Sequence, residues 1–185
     1  TNEPSILING VTISSSSPPY IIAEISANHN QKIETAFDLI KEAKIAGAHA
    51  VKIQTFTPDT ITLNSCSDDF MISGGLWDGL NLYELYEKAH MPWDWHKPIF
   101  DFASEKGITI FSSVFDETSV DFLEELNAPA YKIASFEAID LPLIRCAAKT
   151  GKPLIISTGI ADYDEIAESL DAAKSAGATE IALLH

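Results

Sequence analysis

The sequence is poor in cysteine and in basic residues, and it has no long apolar run. Only two cysteines occur, Cys66 and Cys146, which argues against a disulfide framework and favours a reducing, cytoplasmic location. No apolar run approaches the roughly 18 residues that a membrane-spanning helix needs. The 12 basic residues against 27 acidic ones give a formal net charge of −15, which argues against nucleic acid and anionic membranes as partners. Any site for an anion must therefore be built from a local group of side chains.

The chain also lacks a glycine-rich dinucleotide-binding loop, although helices and strands alternate along it. One unit recurs: an amphipathic helix, a glycine near its end, and a short apolar strand whose last residues are polar. At 185 residues, of which 46% are apolar, the chain is long enough to bury a substantial core. The predicted strands are 20–25, 50–54, and segments near 108–112, 130–134, 153–157 and 180–184.

The regular alternation of helix and strand predicts a parallel sheet of the α/β class. Without a dinucleotide-binding loop, a (β/α)8 TIM barrel is favoured over a doubly wound sheet. Six βα units are recognisable, so we expect two further strands outside this chain. Asn9-Gly10 lies between two short β-branched runs and predicts an N-terminal β-hairpin. The predicted division is a hairpin and linker at 1–19 and an incomplete barrel domain at 20–185.

The interval between the second and third predicted strands is about twice as long as the others. This inserted segment, residues 57–95, contains all three tryptophans of the chain. Inserted βα loops of barrels often carry function. The alternative, a loop that only packs over the rim of the barrel, stays open.

Two lysines lie within otherwise apolar predicted strands. Lys52 occurs in AVKIQ and Lys132 in AYKIAS. Burying an ammonium group costs several kcal/mol unless an anion compensates it. One explanation pairs each lysine with a carboxylate such as Glu24, and the other assigns both lysines to a bound anionic ligand.

The other predicted strands also end in polar residues. In a parallel barrel all carboxyl ends of the strands face the same mouth, so we expect these side chains to converge. Lysine supplies charge and hydroxyl groups supply directional hydrogen bonds, which together suit a phosphorylated or carboxylated substrate. The polar strand-end residues are Glu24, Ser26, Gln54, Ser112, Ser113, Ser135, Glu137, Ser157, Thr158 and His185.

Histidines and loop polar residues allow less specific interpretations. Asn28, His29 and Asn30 follow the first barrel strand, where they either line the mouth or serve loop structure. No second histidine lies at ligand spacing from His29, so no metal site is assigned there. Glu137 lies just beyond the fourth barrel strand, where it either handles a proton or a sugar hydroxyl or is a solvated loop acid.

Four segments together resemble the strand-end motifs of the sialic acid synthase family: IIAEISANHN, AGAHAVKIQT, AYKIASFEA and IISTGI. The resemblance extends over residues 20–185. The loop GGLWDGLNLYELYEKAHMPWDWH is more similar to the branch that makes pseudaminic acid than to the neuraminate branch. The resemblance implies a (β/α)8 barrel followed by a small antifreeze-like domain, in a homodimer.

The resemblance further implies an enzyme that joins phosphoenolpyruvate to an N-acetylated amino-sugar aldehyde of the 2,4-diacetamido-2,4,6-trideoxy-altrose type, releasing phosphate and giving a nonulosonic acid. Glu24 matches a catalytic carboxylate and Glu137 a carboxylate on the sugar side. A divalent metal, Mn or Mg, is implied with ligands outside this chain. The positions that match phosphoenolpyruvate-binding residues are Lys52, Gln54, Ser113, Lys132, Ser135 and Ser157.

Three other functions stay open from the sequence. A neuraminate or legionaminate synthase would share the same motifs. A barrel aldolase would use Lys52 or Lys132 as a Schiff-base lysine. A non-catalytic protein would use the same lysines only to bind an anion.

Overall fold

A computed structural model describes residues 3–185 of the chain, so the first two residues of the predicted unit 1–19 lie outside the described part. A two-stranded antiparallel hairpin precedes six parallel strands that curl into a half-barrel, and helices connect the parallel strands. The strands are β1 (Ser5–Ile8), β2 (Val11–Ser14), β3 (Ile22–Glu24), β4 (Ala50–Thr55), β5 (Thr109–Val114), β6 (Tyr131–Ile133), β7 (Leu154–Ser157) and β8 (Ile181–Leu184). The helices are α1 (Ile33–Ile45), α2 (Pro58–Ile61), α3 (Leu82–Ala89), α4 (His96–Lys106), α5 (Glu117–Glu125), α6 (Leu141–Lys149) and α7 (Tyr163–Ser175).

The parallel strands follow one another in chain order from β3 to β8, each paired with the next. This order confirms the predicted fold class, the N-terminal hairpin and the six βα units. Because every strand runs in the same direction, their carboxyl ends lie at one end of the sheet. The residues that follow the strands are therefore brought to a common mouth.

Alternation along the strands separates two apolar layers. Ala50, Phe111 and Ile155 pack with Ile6 and Ile8 of the hairpin on the inner face of the half-barrel. Successive side chains of a strand point to opposite faces of the sheet. The residues next to these in sequence therefore belong to the larger core between the strands and the helices. The hairpin therefore fills the amino-terminal end of the half-barrel with apolar side chains, and the polar residues lie at the opposite end of the same strands.

The inserted segment 57–95 contains α2, α3 and two 3-10 turns, at Asp68–Phe70 and Trp93–Trp95. Asn81 begins α3, because its side-chain oxygen accepts the backbone N–H of Glu84 at 2.8 Å. Phe56, only 2% exposed and immediately after β4, packs edge-on against Tyr86 of α3 with ring centroids 5.6 Å apart. The segment is therefore anchored beside the carboxyl end of β4, at the mouth.

Helix boundaries follow local signals. Asp116 and Asp162 cap α5 and α7 by accepting backbone N–H groups of the first turn. Gly107 ends α4 in a left-handed conformation with φ of 64°. Within residues 3–185, no helix is both long enough and apolar enough to cross a membrane.

Candidate functional site

Lys52 forms an ion pair with Glu24, which lies directly opposite it in the β3–β4 ladder. The Nζ of Lys52 also donates a hydrogen bond to the Oγ of Ser113 on β5 at 3.0 Å. The Lys52 side chain is 14% exposed and that of Glu24 is 40% exposed. The sequence left open whether a carboxylate pairs with Lys52, and the structure shows that Glu24 does.

Glu24 is fixed by a second contact, which the sequence did not indicate. Its Oε1 accepts the backbone N–H of Ser26 at 3.0 Å. Ser26 has φ of 48°, a left-handed conformation that a residue other than glycine rarely adopts. The bend after β3 therefore orients the carboxylate toward the mouth of the half-barrel.

Lys132 is more deeply buried than Lys52 and has different partners. The residue is 7% exposed, and its Nζ donates to the Oγ of Ser157 at 2.6 Å and to the backbone oxygen of Ile133 at 2.7 Å. Among residues 3–185, no carboxylate oxygen lies within the 4.0 Å of an ion pair with this amine. An ammonium group in this position lacks a neutralising partner of its own.

The two lysines flank β5, since Lys52 is on β4 and Lys132 is on β6. Ser113 of β5 lies opposite Lys132 in one ladder and opposite Gln54 in the other. Burial, together with the positive charge of Lys52, lowers the pKa of Lys132 to about 8, against the smaller opposing effect of Glu24. We call the group Lys52, Ser113, Lys132 and Ser157 the lysine cradle.

Glu137 lies in the 3-10 turn Phe136–Ile139, directly after the β6 end of the lysine cradle. Its Oε2 is buried and has no hydrogen-bond partner among the described residues. Burial raises the pKa of this carboxyl group, and the charge of Lys132 opposes that rise. A carboxyl group of this kind is suited to hydrogen-bond a ligand oxygen in its protonated form.

Ser135 and Gln54, two of the predicted ligands, lie beside the lysine cradle. Gln54 is half-buried on β4, and Ser135 is half-buried just after β6. The Ser135 side chain packs so tightly on Gly159 that a Cβ at position 159 would lie 2.7 Å from its Oγ. Position 159, just after β7, therefore requires glycine because of its contact with the loop that contains Ser135. The STG motif in the sequence is the feature that could have indicated this.

Ser112 does not join the mouth, so the expectation for this residue was wrong. Its Oγ is 2.6 Å from the Oγ1 of Thr55, which is 2.9 Å from the Nε2 of His96 on α4. His96 is fully buried, and burial lowers its pKa to about 4. Ser112 therefore faces the helix layer, as alternation requires of a residue next to the inward-facing Ser113. His96 serves packing at the start of α4.

Thr158 and His185 contact each other at the β8 edge, with Oγ1 and Nδ1 3.1 Å apart. His29 is 1% exposed and lies edge-on to Trp95, with ring centroids 5.6 Å apart. Burial lowers the pKa of His29, which favours the neutral form of its ring. Among residues 3–185, no three His, Cys, Asp or Glu side chains are grouped to hold a metal ion. The described residues therefore provide no site of their own for the implied divalent metal.

The sequence model of the NeuB family matches residues 39–185. The chain is 48% identical over 167 residues to the pseudaminic acid synthase of Helicobacter pylori, covering 90% of this chain and 49% of that protein. It is 55% identical over 147 residues to the pseudaminic acid synthase of Campylobacter jejuni, covering 80% of this chain and 43% of that protein. The chain thus spans about half the length of these relatives.

Two solved structures are similar in fold. The spore coat polysaccharide biosynthesis protein SpsE of Bacillus subtilis gives a TM-score of 0.80 at 33% identity, covering 98% of this chain and 47% of the other. The N-acetylneuraminic acid synthetase of Leptospira borgpetersenii gives a TM-score of 0.84 at 24% identity, covering 99% of this chain and 59% of the other. At that lower identity the second likeness concerns the fold alone.

Proposed function

The chain belongs to the NeuB family, and we propose that it forms the phosphoenolpyruvate-binding part of a synthase that makes a nonulosonic acid. The second substrate is an N-acetylated amino-sugar aldehyde, and the product is pseudaminic acid. Two relatives at 48% and 55% identity that carry the name pseudaminic acid synthase support this choice over the neuraminate and legionaminate alternatives.

One observation carries the proposal: Lys132 is a nearly buried amine without a carboxylate partner, next to a second lysine. Lys52 forms an ion pair with Glu24. Among the described residues, the two ammonium groups therefore have one carboxylate partner between them. A ligand with phosphate and carboxylate groups would supply the missing charge, and Ser113 and Ser157 would hydrogen-bond its oxygens. Gln54 and Ser135 complete the proposed phosphoenolpyruvate-binding set.

The proposed reaction forms a bond between the methylene carbon of phosphoenolpyruvate and the aldehyde carbon of the sugar. The aldehyde oxygen gains a proton and becomes a hydroxyl group. Water adds to the central carbon of phosphoenolpyruvate and loses one proton, which gives a tetrahedral centre. The bond from that carbon to the phosphate oxygen then breaks, the new hydroxyl group becomes the keto group, and its proton goes to the departing phosphate. The lysine cradle compensates the negative charge of phosphoenolpyruvate and of the leaving phosphate.

Two carboxyl groups are available for the proton transfers. Glu24 is ion-paired and partly exposed at the mouth, so we assign it to accept the proton of the attacking water. Glu137 has a raised pKa because it is buried, so its protonated form is assigned to hydrogen-bond the aldehyde oxygen and to donate a proton to it. The two groups thus take opposite roles because their environments differ.

Several finer features stay predictions. They are the division into 1–19 and 20–185, the homodimer, the cytoplasmic location, and a divalent metal bound outside this chain.

A Schiff-base aldolase is the second candidate, because the lowered pKa of Lys132 leaves part of its amine neutral near pH 8. Borohydride trapping separates the two functions. A covalent adduct of Lys132 with a keto acid would support the aldolase. Absence of an adduct, together with phosphate release from phosphoenolpyruvate, would support the synthase.

The activity test uses this chain extended to the length of its relatives. Phosphate release from phosphoenolpyruvate is measured with 2,4-diacetamido-2,4,6-trideoxy-altrose and with N-acetylmannosamine. We expect faster release with the diacetamido sugar. Faster release with N-acetylmannosamine would contradict the pseudaminic acid assignment, and no release with either sugar would favour an anion-binding protein without turnover.

A further inference from the structure

A cavity of about 250 Å³ lies between the loop after β3 and helix α3 of the inserted segment. It is distinct from the lysine cradle, with which it shares no lining residue. Its lining combines amide, aromatic and aliphatic side chains. We call it the amide cavity, and the lining residues that matter here are Asn28, Gln31, Trp77, Leu85 and Ala89.

The amide nitrogens at this cavity are already used by the main chain. The Nε2 of Gln31 donates to the backbone oxygens of Lys88 at 2.5 Å and His90 at 3.0 Å. The Nδ2 of Asn28 donates to the backbone oxygen of Ile25 at 3.0 Å. Their carbonyl oxygens therefore remain as hydrogen-bond acceptors, which suit a ligand that presents N–H or O–H groups.

The remaining lining favours a ligand with apolar parts. Trp77 is 48% exposed and presents indole surface, and Leu85 and Ala89 are half-buried. Aromatic side chains offer a flat apolar face beside a polar group, which suits the C–H and methyl groups of a sugar. None of the described residues that line the cavity is acidic, and the exposed Lys88 also lines it, which argues against a cationic ligand.

The amide cavity is within reach of the cradle. Ala27, which also lines it, is three residues after Glu24. Successive Cα atoms are 3.8 Å apart, so the Cα atoms of these two residues are separated by no more than about 11 Å. A substituted hexose whose reacting carbon lies near Glu24 would extend over that distance.

We infer that the amide cavity binds an acetamido group of the amino-sugar substrate while the sugar's aldehyde faces the lysine cradle. The acetamido N–H donates to the free carbonyl oxygen of Gln31 or Asn28, and its methyl group packs against Trp77 and Leu85. The inference rests on the proposed function and adds to it the part of the chain that recognises the sugar.

The test is calorimetric titration of this chain with 2,4-diacetamido-2,4,6-trideoxy-altrose and with N-acetylmannosamine, each with and without phosphoenolpyruvate. Trp77→Ala should weaken binding of the diacetamido sugar roughly tenfold, and Leu85→Trp, which fills the cavity, should weaken it at least as much. The matched control is Leu76→Ala, since Leu76 is 88% exposed and does not line the cavity. It should change the affinity by less than about twofold.

The outcomes separate this inference from the proposed function. Phosphoenolpyruvate should bind all variants equally, and circular dichroism should show the same fold. Equal sugar affinities in Trp77→Ala and Leu76→Ala would overturn the inference, as would undetectable sugar binding by the unsubstituted chain. If phosphoenolpyruvate did not bind the unsubstituted chain, the proposed function would be contradicted instead. The effect of Trp77→Ala on sugar affinity would still decide the inference.

Discussion

Lys132 lies opposite Ser113 in the β5–β6 ladder, and the Ser113 hydroxyl accepts a hydrogen bond from Lys52, the other lysine of the cradle. Three neighbouring strands thus contribute one polar side chain each to the same surface. The arrangement is asymmetric, because Glu24 neutralises Lys52 whereas serine and a backbone oxygen are the partners of Lys132. This asymmetry leads to predictions in which ligand binding and stability change in opposite directions.

Lys132→Met should weaken phosphoenolpyruvate binding and leave the ligand-free chain at least as stable. A hydrogen bond to a charged group contributes about 1.5–3 kcal/mol, so the affinity should fall roughly 10- to 100-fold. Removing a buried ammonium group that lacks a carboxylate partner should raise the free energy of unfolding by on the order of 1 kcal/mol. Calorimetry and urea unfolding measure the two effects.

Lys97→Met is the control for that substitution. Lys97 forms an exposed i,i+4 ion pair with Asp101, so its loss should change neither quantity appreciably. A loss of stability in Lys132→Met without a loss of affinity would mean that Lys132 is a structural residue.

Binding should also depend on pH through Lys132, whose pKa in the ligand-free chain is about 8. The ammonium form binds the anion, so affinity should be constant below pH 8 and fall by up to about tenfold per pH unit above it. Titrations at several pH values measure this fall. An affinity that stays constant to pH 10 would contradict the assignment.

Stability should depend on the same group with the opposite sign. The pKa of Lys132 is lower in the folded chain than its ordinary value of 10.5, so the unfolded chain binds more protons between about pH 8 and pH 10.5. The contribution of Lys132 to the stability of the ligand-free chain therefore rises with pH in that window. Urea unfolding should show this rise in the unsubstituted chain and lack it in Lys132→Met.

Glu24→Gln should strengthen phosphoenolpyruvate binding and abolish most turnover. The substitution removes a negative charge next to the anion and frees Lys52 from its ion pair. The binding free energy should therefore improve by about 1 kcal/mol, or roughly fivefold in affinity. Phosphate release should fall because the proposed acceptor of the water proton is lost. Glu105→Gln is the control, since Glu105 is exposed and pairs only with its neighbour Lys106. Unchanged phosphate release in Glu24→Gln would refute the catalytic role.

Gly159→Ala should destabilise the chain by about 1–3 kcal/mol, because the new Cβ would lie 2.5 Å from the Cβ of Ser135. The displaced Ser135 should also weaken phosphoenolpyruvate binding. Adding Ser135→Gly removes the clashing atoms and should restore part of the stability, which chemical unfolding measures. Gly151→Ala is the control, since no atom lies within 4 Å of its added Cβ and only the cost of its φ of 73° applies. Equal losses in the two alanine variants would show that the Ser135 contact is unimportant.

Much of the fold was predictable because it depends on local patterns. Apolar runs bounded by glycine and polar residues located β5 and β7 within one or two residues of their observed ends. Parallel order then followed from the alternation of strands with helices, and it brought Lys52 and Lys132 to one end of the sheet. The burial of both lysines follows from strand position alone, without knowledge of their partners.

The details of the site were not predictable from the same patterns. Alternation along β5 assigns Ser112 to the helix layer, whereas the polar character of both serines favours the mouth for each. The ion pair of Glu24 with Lys52 rather than Lys132 depends on which strands are adjacent. The contact between Ser135 and Gly159 joins two loops that are separate in sequence, so no local pattern reports it.

A crystal structure of this chain with phosphoenolpyruvate would show whether one ligand neutralises both lysines of the cradle. We expect one anion at the mouth, with oxygen atoms within about 2.7–3.2 Å of the Nζ atoms of both Lys52 and Lys132. An anion bound to one of these amines alone, or bound elsewhere while the Lys132 amine keeps only its serine and backbone partners, would contradict this expectation.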